Sequence, residues 1–520
     1  MRFEILPGMW IPALIYMPNN IEGKDPVVLN VNGHAGTGKV TEYKQIRCIN
    51  QAKRGMIALN LEWIGMGQLQ TAGFNHYRMN QLDLCGTSGL APFILSMKRA
   101  LDVLLDLENA DPERVAVAGL SGGGWQTIFI SALDTRITLS NPVAGHSSFF
   151  TRVDVPSNLG DSEQTPTDMA ALADYMHLTA MVAPRPLLLT YNDTDDCCFQ
   201  ASNALPPLLE VTRPLYKLYG KGDHLRSHIN IVPGTHNFDQ DNRQQLYAMF
   251  SHFFYPGTPG FSPAEIECAA EVKTKEELFV PLPENNRDFN IVAKDLAAEL
   301  PLKEGNQDAE ARRVQLAEVI KFHDYPYSAT QVAQKTIDGQ LATYWHLKFG
   351  SEWTVPVTEF SPDNPADTVL LLSEAGSASL AKQVEAALQQ GNRVLVVDPF
   401  SYGHSSIGSY SGLYAMLLNS VGERPLGIQV SQLMGTVKWA RERAPKESLR
   451  VHAVGPRSSL IALTTAALAP ILIQETTTEQ SFESLKEIIN ENMQVINAPE
   501  LFCFGLLKHF DIPDLKELDQ

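Results

Sequence analysis

A serine hydroxyl is a poor nucleophile until a base takes its proton, and the base needs an acid to orient it. The run VAVAGLSGGGWQTIFI, Val115 to Ile130, holds a serine in the pattern G-x-S-x-G: Gly119, Leu120, Ser121, Gly122, Gly123. A strand-like apolar stretch leads in and a helix-compatible one leads out. On such a turn the serine is held exposed between strand and helix, and flanking side chains would collide, so glycines are required. Ser121 is the expected nucleophile.

The partners should follow in the order serine, acid, histidine. The stretch APRPLLLTYNDTDDCCF runs an apolar strand, Pro186 to Tyr191, into Asp193, Asp195 and Asp196. Asp196 is favoured as the acid, Asp195 is the alternative and Asp193 the third choice. The base should precede the last helix of the unit. His236, in VPGTHNFDQDNRQQLYAMFSHFF, follows a Pro-Gly turn and leads into an amphipathic stretch. His224 and His228 come before that turn, and His252 lies inside the helix.

An anion forming at the attacked carbonyl needs two backbone N–H donors. Gly122, just after the nucleophile, should give one. The loop NGHAGTGK, Asn32 to Lys39, should give the other, from His34 or Ala35. This loop lacks the G-x-x-x-x-G-K-[ST] spacing of a phosphate loop. Trp63 is expected to line the substrate pocket, Asn75 to Arg78 to offer polar contacts, and Trp125 to pack in the core. No cofactor and no metal are expected, because no CxxC or Cys/His zinc spacing occurs. Cys197 and Cys198 read as two small side chains beside the catalytic loop, with a strained vicinal disulfide as the alternative.

These residues need a scaffold. Strand candidates at Pro12–Met17, Val27–Val31, Met56–Leu61, Val115–Ala118, Thr138–Val143 and Pro186–Tyr191 alternate with amphipathic stretches such as Pro92–Leu107. That alternation predicts an α/β fold, a mostly parallel sheet covered by helices on both faces. YPGTPGFSP, Tyr255 to Pro263, reads as a boundary. The expected domains are 1–258, catalytic; 259–341, a linker with helices; and 342–520, a second α/β domain. In that second domain TVLLLSEAGSA, RVLVVDPFSYGHSS and LRVHAVGPRSSLIAL echo, in order and spacing, the strands around Asn32, Trp63 and Ser121. The pattern predicts an internal duplication. Its second turn, GPRSS, places Arg457 at the nucleophile position, so this copy is expected to be degenerate and non-catalytic.

A chain of 520 residues is long enough for two such cores. A net charge of −18 argues against nucleic-acid or anionic-membrane partners. No signal peptide is visible in MRFEILPGMWIPALIYMP, and no apolar run spans a bilayer, so a soluble chain is expected, a trimmed exported form included.

NVNGHAGTGK, EYKQIRCINQAKRGM, GLSGGGWQT, APRPLLLTYNDTDDCCF and PGTHNFDQDNR, in that order, resemble bacterial α/β-hydrolases of the acetyl xylan esterase-like and cephalosporin-C deacetylase-like family. The resemblance covers residues 1 to about 258. It implies the α/β-hydrolase fold and a serine carboxylesterase acting on small acyl esters, often acetyl groups on plant polysaccharides. Carried onto this chain it implies Ser121 as nucleophile, Asp196 as acid and His236 as base. A peptidase of the prolyl-oligopeptidase kind would use the same order of residues, and a non-catalytic binding protein is the third reading.

Overall fold

A computed structural model describes residues 1–21, 23–302, 308–337 and 339–520. The chain forms two compact units. The first comprises residues 1–79 and 89–289, and the second residues 80–88 and 290–520.

The first unit is built on eight strands: β1 (Arg2–Leu6), β2 (Met9–Tyr16), β3 (Asp25–Asn30), β4 (Ile57–Leu61), β5 (Ala110–Leu120), β6 (Leu139–Val143), β7 (Leu187–Asn192) and β8 (Leu225–Asn230). Their order is β1-β2-β4-β3-β5-β6-β7-β8. From β4 to β8 every neighbouring pair is parallel; β1 and β2 add antiparallel at one edge. Strands β4, β6 and β7 are buried at every residue, which is why they read as continuous runs rather than alternating ones. Helices Glu42–Lys53, Ala91–Leu105, Gly122–Leu133, Ala201–Leu218 and Gln240–Phe253 connect or close them.

After β3 the chain goes to β4 on one side, then returns to β5 on the other. That reversal makes the β3–β5 junction a topological switch point, where loops part at the carboxyl ends of the strands and leave a crevice. The loop after β3 begins at Val31, and the turn after β5 holds Ser121.

Two strands were not legible in the sequence. β1 is a short edge strand, and β8, LRSHIN, is half exposed at the opposite edge. An edge strand needs little apolar surface, so Arg226, Ser227 and His228 mask its periodicity.

The second unit has a sheet of β9 (Tyr327–Ile337), β10 (Gln340–Phe349), β11 (Trp353–Phe360), β12 (Thr368–Ser373), β13 (Arg393–Val397), β14 (Leu449–Val454) and β15 (Glu475–Glu479). Its order is β15-β14-β12-β13-β11-β10-β9. The parallel series β13-β12-β14-β15 repeats the order β4-β3-β5-β6, and β11 runs antiparallel beside β13 as β2 does beside β4. Among the described residues this sheet ends at β15, with no strands in the places of β7 and β8.

The expected linker 259–341 is not a linker. Residues up to Phe289 return to the first unit: Gln45 Nε2 donates to the Lys273 carbonyl at 2.9 Å, and Arg243 pairs with Glu265 at 2.6 Å. From Asn290 onward the chain joins the second unit through helix Ala309–Ile320 and strand β9. Residues 303–307 and 338 of that expected linker lie outside the described ones. No helix among the described residues is long and apolar enough to cross a membrane.

Candidate active site

Strand β5 ends at Leu120 and a helix starts at Gly122, leaving Ser121 alone at the turn with φ 60° and ψ −122°. A non-glycine residue in that region is strained, and such strain is held only where neighbours over-determine it. The Ser121 N–H donates to the Val143 carbonyl at 2.9 Å, and its carbonyl accepts from Trp125 N–H at 2.9 Å. Gly123 is required by close approach, since a Cβ there would lie 2.6 Å from the Val31 carbonyl oxygen.

The loops after β7 and β8 bring an acid to a histidine. Asp195 Oδ2 accepts from His236 Nδ1 at 2.7 Å. The Asp195 side chain is wholly buried, and its Oδ1 accepts the N–H groups of Cys197 and Cys198, each at 3.0 Å. This corrects the expectation for Asp196. Asp196 is exposed, and its Oδ1 accepts the backbone N–H of His236 at 2.9 Å, so it holds the histidine's main chain rather than its ring. The turn of Asp195 onto two amides decides which carboxylate faces inward.

Burial would lower the proton affinity of His236, but the bond and charge of Asp195 outweigh it and raise its pKa above the ordinary 6.5. Burial likewise opposes ionisation of Asp195, and the His236 bond followed by the two amides holds its pKa below 3.8. With Nδ1 engaged by Asp195, Nε2 is the ring atom free to exchange a proton. Cys197 and Cys198 are free thiols. The Cys197 thiol is pulled down first by its bond to Cys198 and then, with burial opposing, by His236. His34 acts on it in the same direction.

On the other side of the crevice, Gly33 presses against the elbow. A Cβ on it would lie 2.7 Å from Gly122 N and 2.8 Å from the Leu120 carbonyl oxygen. Gly122 opens its helix, so its N–H has no acceptor within that helix. The loop that continues from Gly33 through His34 and Ala35 is anchored from beneath. Asn32 Nδ2 donates to Asn60 Oδ1 and the Leu61 carbonyl, both at 2.6 Å, and Gln126 Nε2 donates to the Asn32 carbonyl at 2.6 Å. Glu62 clamps its far end, accepting Lys39 N–H at 2.6 Å and Lys39 Nζ at 2.9 Å.

Several other expectations shift. Trp63, expected to line the substrate pocket, is buried at 1% exposure. It lies under the elbow, with its ring edge 3.0 Å from where a Gly122 Cβ would be and its ring 5.7 Å from that of His34. His76 and Tyr77, expected to contact substrate, turn toward the protein instead. His76 donates from Nε2 to the Ile64 carbonyl at 2.7 Å, and Tyr77 donates to Asp161 at 2.9 Å. Burial opposes a proton on His76, but Glu163 and then Asp161 raise its pKa to about 10. Trp125 is buried, its indole N–H donating to Tyr175 at 2.9 Å. His228 pairs with Asp241 at 2.7 Å on the outer strand, away from the elbow strand in sheet order.

Residues 1–170 match the model of the acetyl xylan esterase (AXE1) family. The match includes His34, Ala35, Ser121 and Gly122 and stops before Asp195 and His236. No curated protein matches the chain. Among solved structures it is similar to a methylesterase (BT1017) at 23% identity, covering 57% of this chain and 65% of that one, with a TM-score of 0.44. It is also similar to a carbohydrate esterase family 15 glucuronoyl esterase from Caldicellulosiruptor kristjansonii at 14% identity, over 50% of this chain and 77% of that one, TM-score 0.35. A Pyrococcus horikoshii acylaminoacyl peptidase is 18% identical over 52% of this chain and 43% of its own, TM-score 0.38. These likenesses are distant, and none fixes a substrate for this chain.

The Ser121 turn has a counterpart in the second unit, but not where the sequence placed it. Gly455 N–H donates to the Glu479 carbonyl at 2.9 Å, as Ser121 N–H does to Val143. Gly455 has φ 103° and precedes helix Pro456–Leu468, so it holds the turn position that Ser121 holds in the first unit. Arg457, expected there, lies one helical step inside. Its guanidinium bonds to the wholly buried Glu500, which also accepts from Tyr402 at 2.8 Å. A two-residue offset separates the letter pattern from the backbone pattern.

Proposed function

We propose that this chain is a serine carboxylesterase that cleaves small acyl esters, acetyl esters of carbohydrates foremost, through Ser121, His236 and Asp195. His236 Nε2 takes the proton from Ser121 Oγ, and Oγ attacks the ester carbonyl carbon. The oxyanion is met by the N–H of Gly122 and a second N–H from the His34–Ala35 loop. The carbon–oxygen bond to the alcohol breaks, and the alcohol leaves with the proton from His236. Water then gives a proton to His236 and attacks the acyl-serine, releasing the carboxylic acid and restoring Ser121. Asp195 stays ionised, fixes the ring tautomer and stabilises the imidazolium.

The observation that carries this reading is the 2.7 Å bond from His236 Nδ1 to the buried Asp195, taken together with the strained turn at Ser121. The family match over residues 1–170 supports the ester as substrate class. The second unit is proposed as a degenerate copy without catalysis. Glycine at the turn supplies no nucleophile, and the strands that would end at an acid and a base are missing among the described residues.

The test compares p-nitrophenyl acetate, acetylated xylan and a dipeptidyl amide as substrates of the wild-type chain and of Ser121→Ala. Hydrolysis of the acetyl esters that falls at least ~10³-fold in the variant supports the proposal. Faster turnover of the amide would give a peptidase, and activity retained in Ser121→Ala would exclude this serine.

A further inference from the structure

Four side chains from three separate segments of the first unit converge beside the oxyanion loop. His34 follows β3; His76 lies in the turn His76–Arg78; Asp161 and Glu163 flank and enter the turn Ser162–Gln164. One ligand-type atom from each lies within 4.8 Å of all the others. His34 Nε2 is 3.1 Å from His76 Nδ1, 3.0 Å from Asp161 Oδ2 and 3.9 Å from Glu163 Oε1. His76 Nδ1 is 2.9 Å from Glu163 Oε2 and 3.7 Å from Asp161 Oδ2.

We propose that His34, His76, Asp161 and Glu163 form a binding site for a divalent transition-metal cation of the zinc class. Bonds of 2.0–2.2 Å to a tetrahedral zinc put ligand atoms roughly 3.3–3.6 Å apart, and the separations here scatter around that value. Two imidazoles with two carboxylates favour zinc-type ions over calcium or magnesium, which take oxygen sets. Two carboxylates also balance a dication.

Three features point the same way. His76 donates from its far nitrogen to the Ile64 carbonyl at 2.7 Å, which fixes the ring with Nδ1 toward the cluster. Tyr77 donates to Asp161 Oδ1 at 2.9 Å, holding that carboxylate with Oδ2 toward the histidines. Glu163 is wholly buried, with its Oε2 2.9 Å from His76 Nδ1, so both ligand atoms already face the same point. His34 and Asp161 are about a third exposed, which gives the ion a way in. A bound ion would tie His34, next to Gly33 in the oxyanion loop, to the rest of the unit. The sequence hides such a site because the four residues share no local spacing.

The site goes beyond the proposed esterase reading and is tested without it. The full chain is stripped with a chelator, dialysed and titrated with Zn²⁺ by calorimetry, and with Co²⁺ by visible absorption. The expected result is one equivalent of saturable binding, a four-coordinate cobalt spectrum, and affinity lowered at least ~100-fold in Glu163→Gln and in His34→Ala. His34 is partly exposed, so its variant keeps the test valid should the buried Glu163→Gln chain fail to fold. No saturable binding by the wild-type chain, or equal binding by His34→Ala, would overturn the site.

Discussion

Asp195 and Asp196 are neighbours that do different work. Asp195→Asn removes the charge that holds the His236 tautomer and is expected to lower kcat for p-nitrophenyl acetate by ~10³-fold or more. Asp196→Ala removes one acceptor from the His236 main chain and is expected to cost less than ~10-fold; steady-state kinetics on the two variants separates them. The pH profile follows from the same contact. In the proposed mechanism only neutral His236 takes the Ser121 proton, and Asp195 raises the His236 pKa above 6.5. kcat/KM should therefore rise with pH through an apparent pKa above 6.5, and Asp195→Asn should move that midpoint down. At this scale the sequence locates the serine turn after β5 and the Asp-rich loop after β7. It could not choose within Asp195–Asp196, because the choice depends on which carboxylate reaches the amides of Cys197 and Cys198.

At the scale of elements, the site depends on two loops pressed together at the β3–β5 junction. Glu62, after β4, accepts from Lys39 main chain and side chain and from Gln68 N–H at 3.2 Å, closing the oxyanion loop from behind. Lys39 and Glu62 are both buried, so Glu62→Ala leaves an uncompensated buried ammonium. We expect a loss of about 3–5 kcal/mol, read as an earlier unfolding of the first unit in urea. Gly33→Ala should act on chemistry instead: its Cβ would meet Gly122 N at 2.7 Å, and kcat should fall ~10²-fold or more in an ester assay. The buried parallel strands were legible as apolar runs. The Glu62 clamp and strand β8 were not, since buried ion pairs and polar edge strands carry no periodic signal.

For the whole molecule, the Pro- and Gly-rich segment at Tyr255 looks like a boundary but is followed by chain that returns to the first unit. The contacts that bring it back, Gln45 with Lys273 and Gln68 with Val280, join residues more than 200 positions apart. Local composition cannot register them. The repeated strand order was visible in the order of motifs, whereas the offset between Arg457 and Gly455 needed the backbone. Arg457 now has a structural role. Arg457→Ala strips the buried Glu500 of its cation, so stability should fall by about 3–5 kcal/mol while ester turnover of the folded protein stays within ~2-fold; thermal unfolding and kinetics on the same sample test this.

The most direct test of the account is covalent labelling with a fluorophosphonate, followed by mass spectrometry of the intact chain and its peptides. The account predicts one label per chain, on the peptide that contains Ser121, lost in Ser121→Ala and strongly slowed in His236→Ala. A wild-type chain that takes no label, or a Ser121→Ala chain that still takes one, would contradict it.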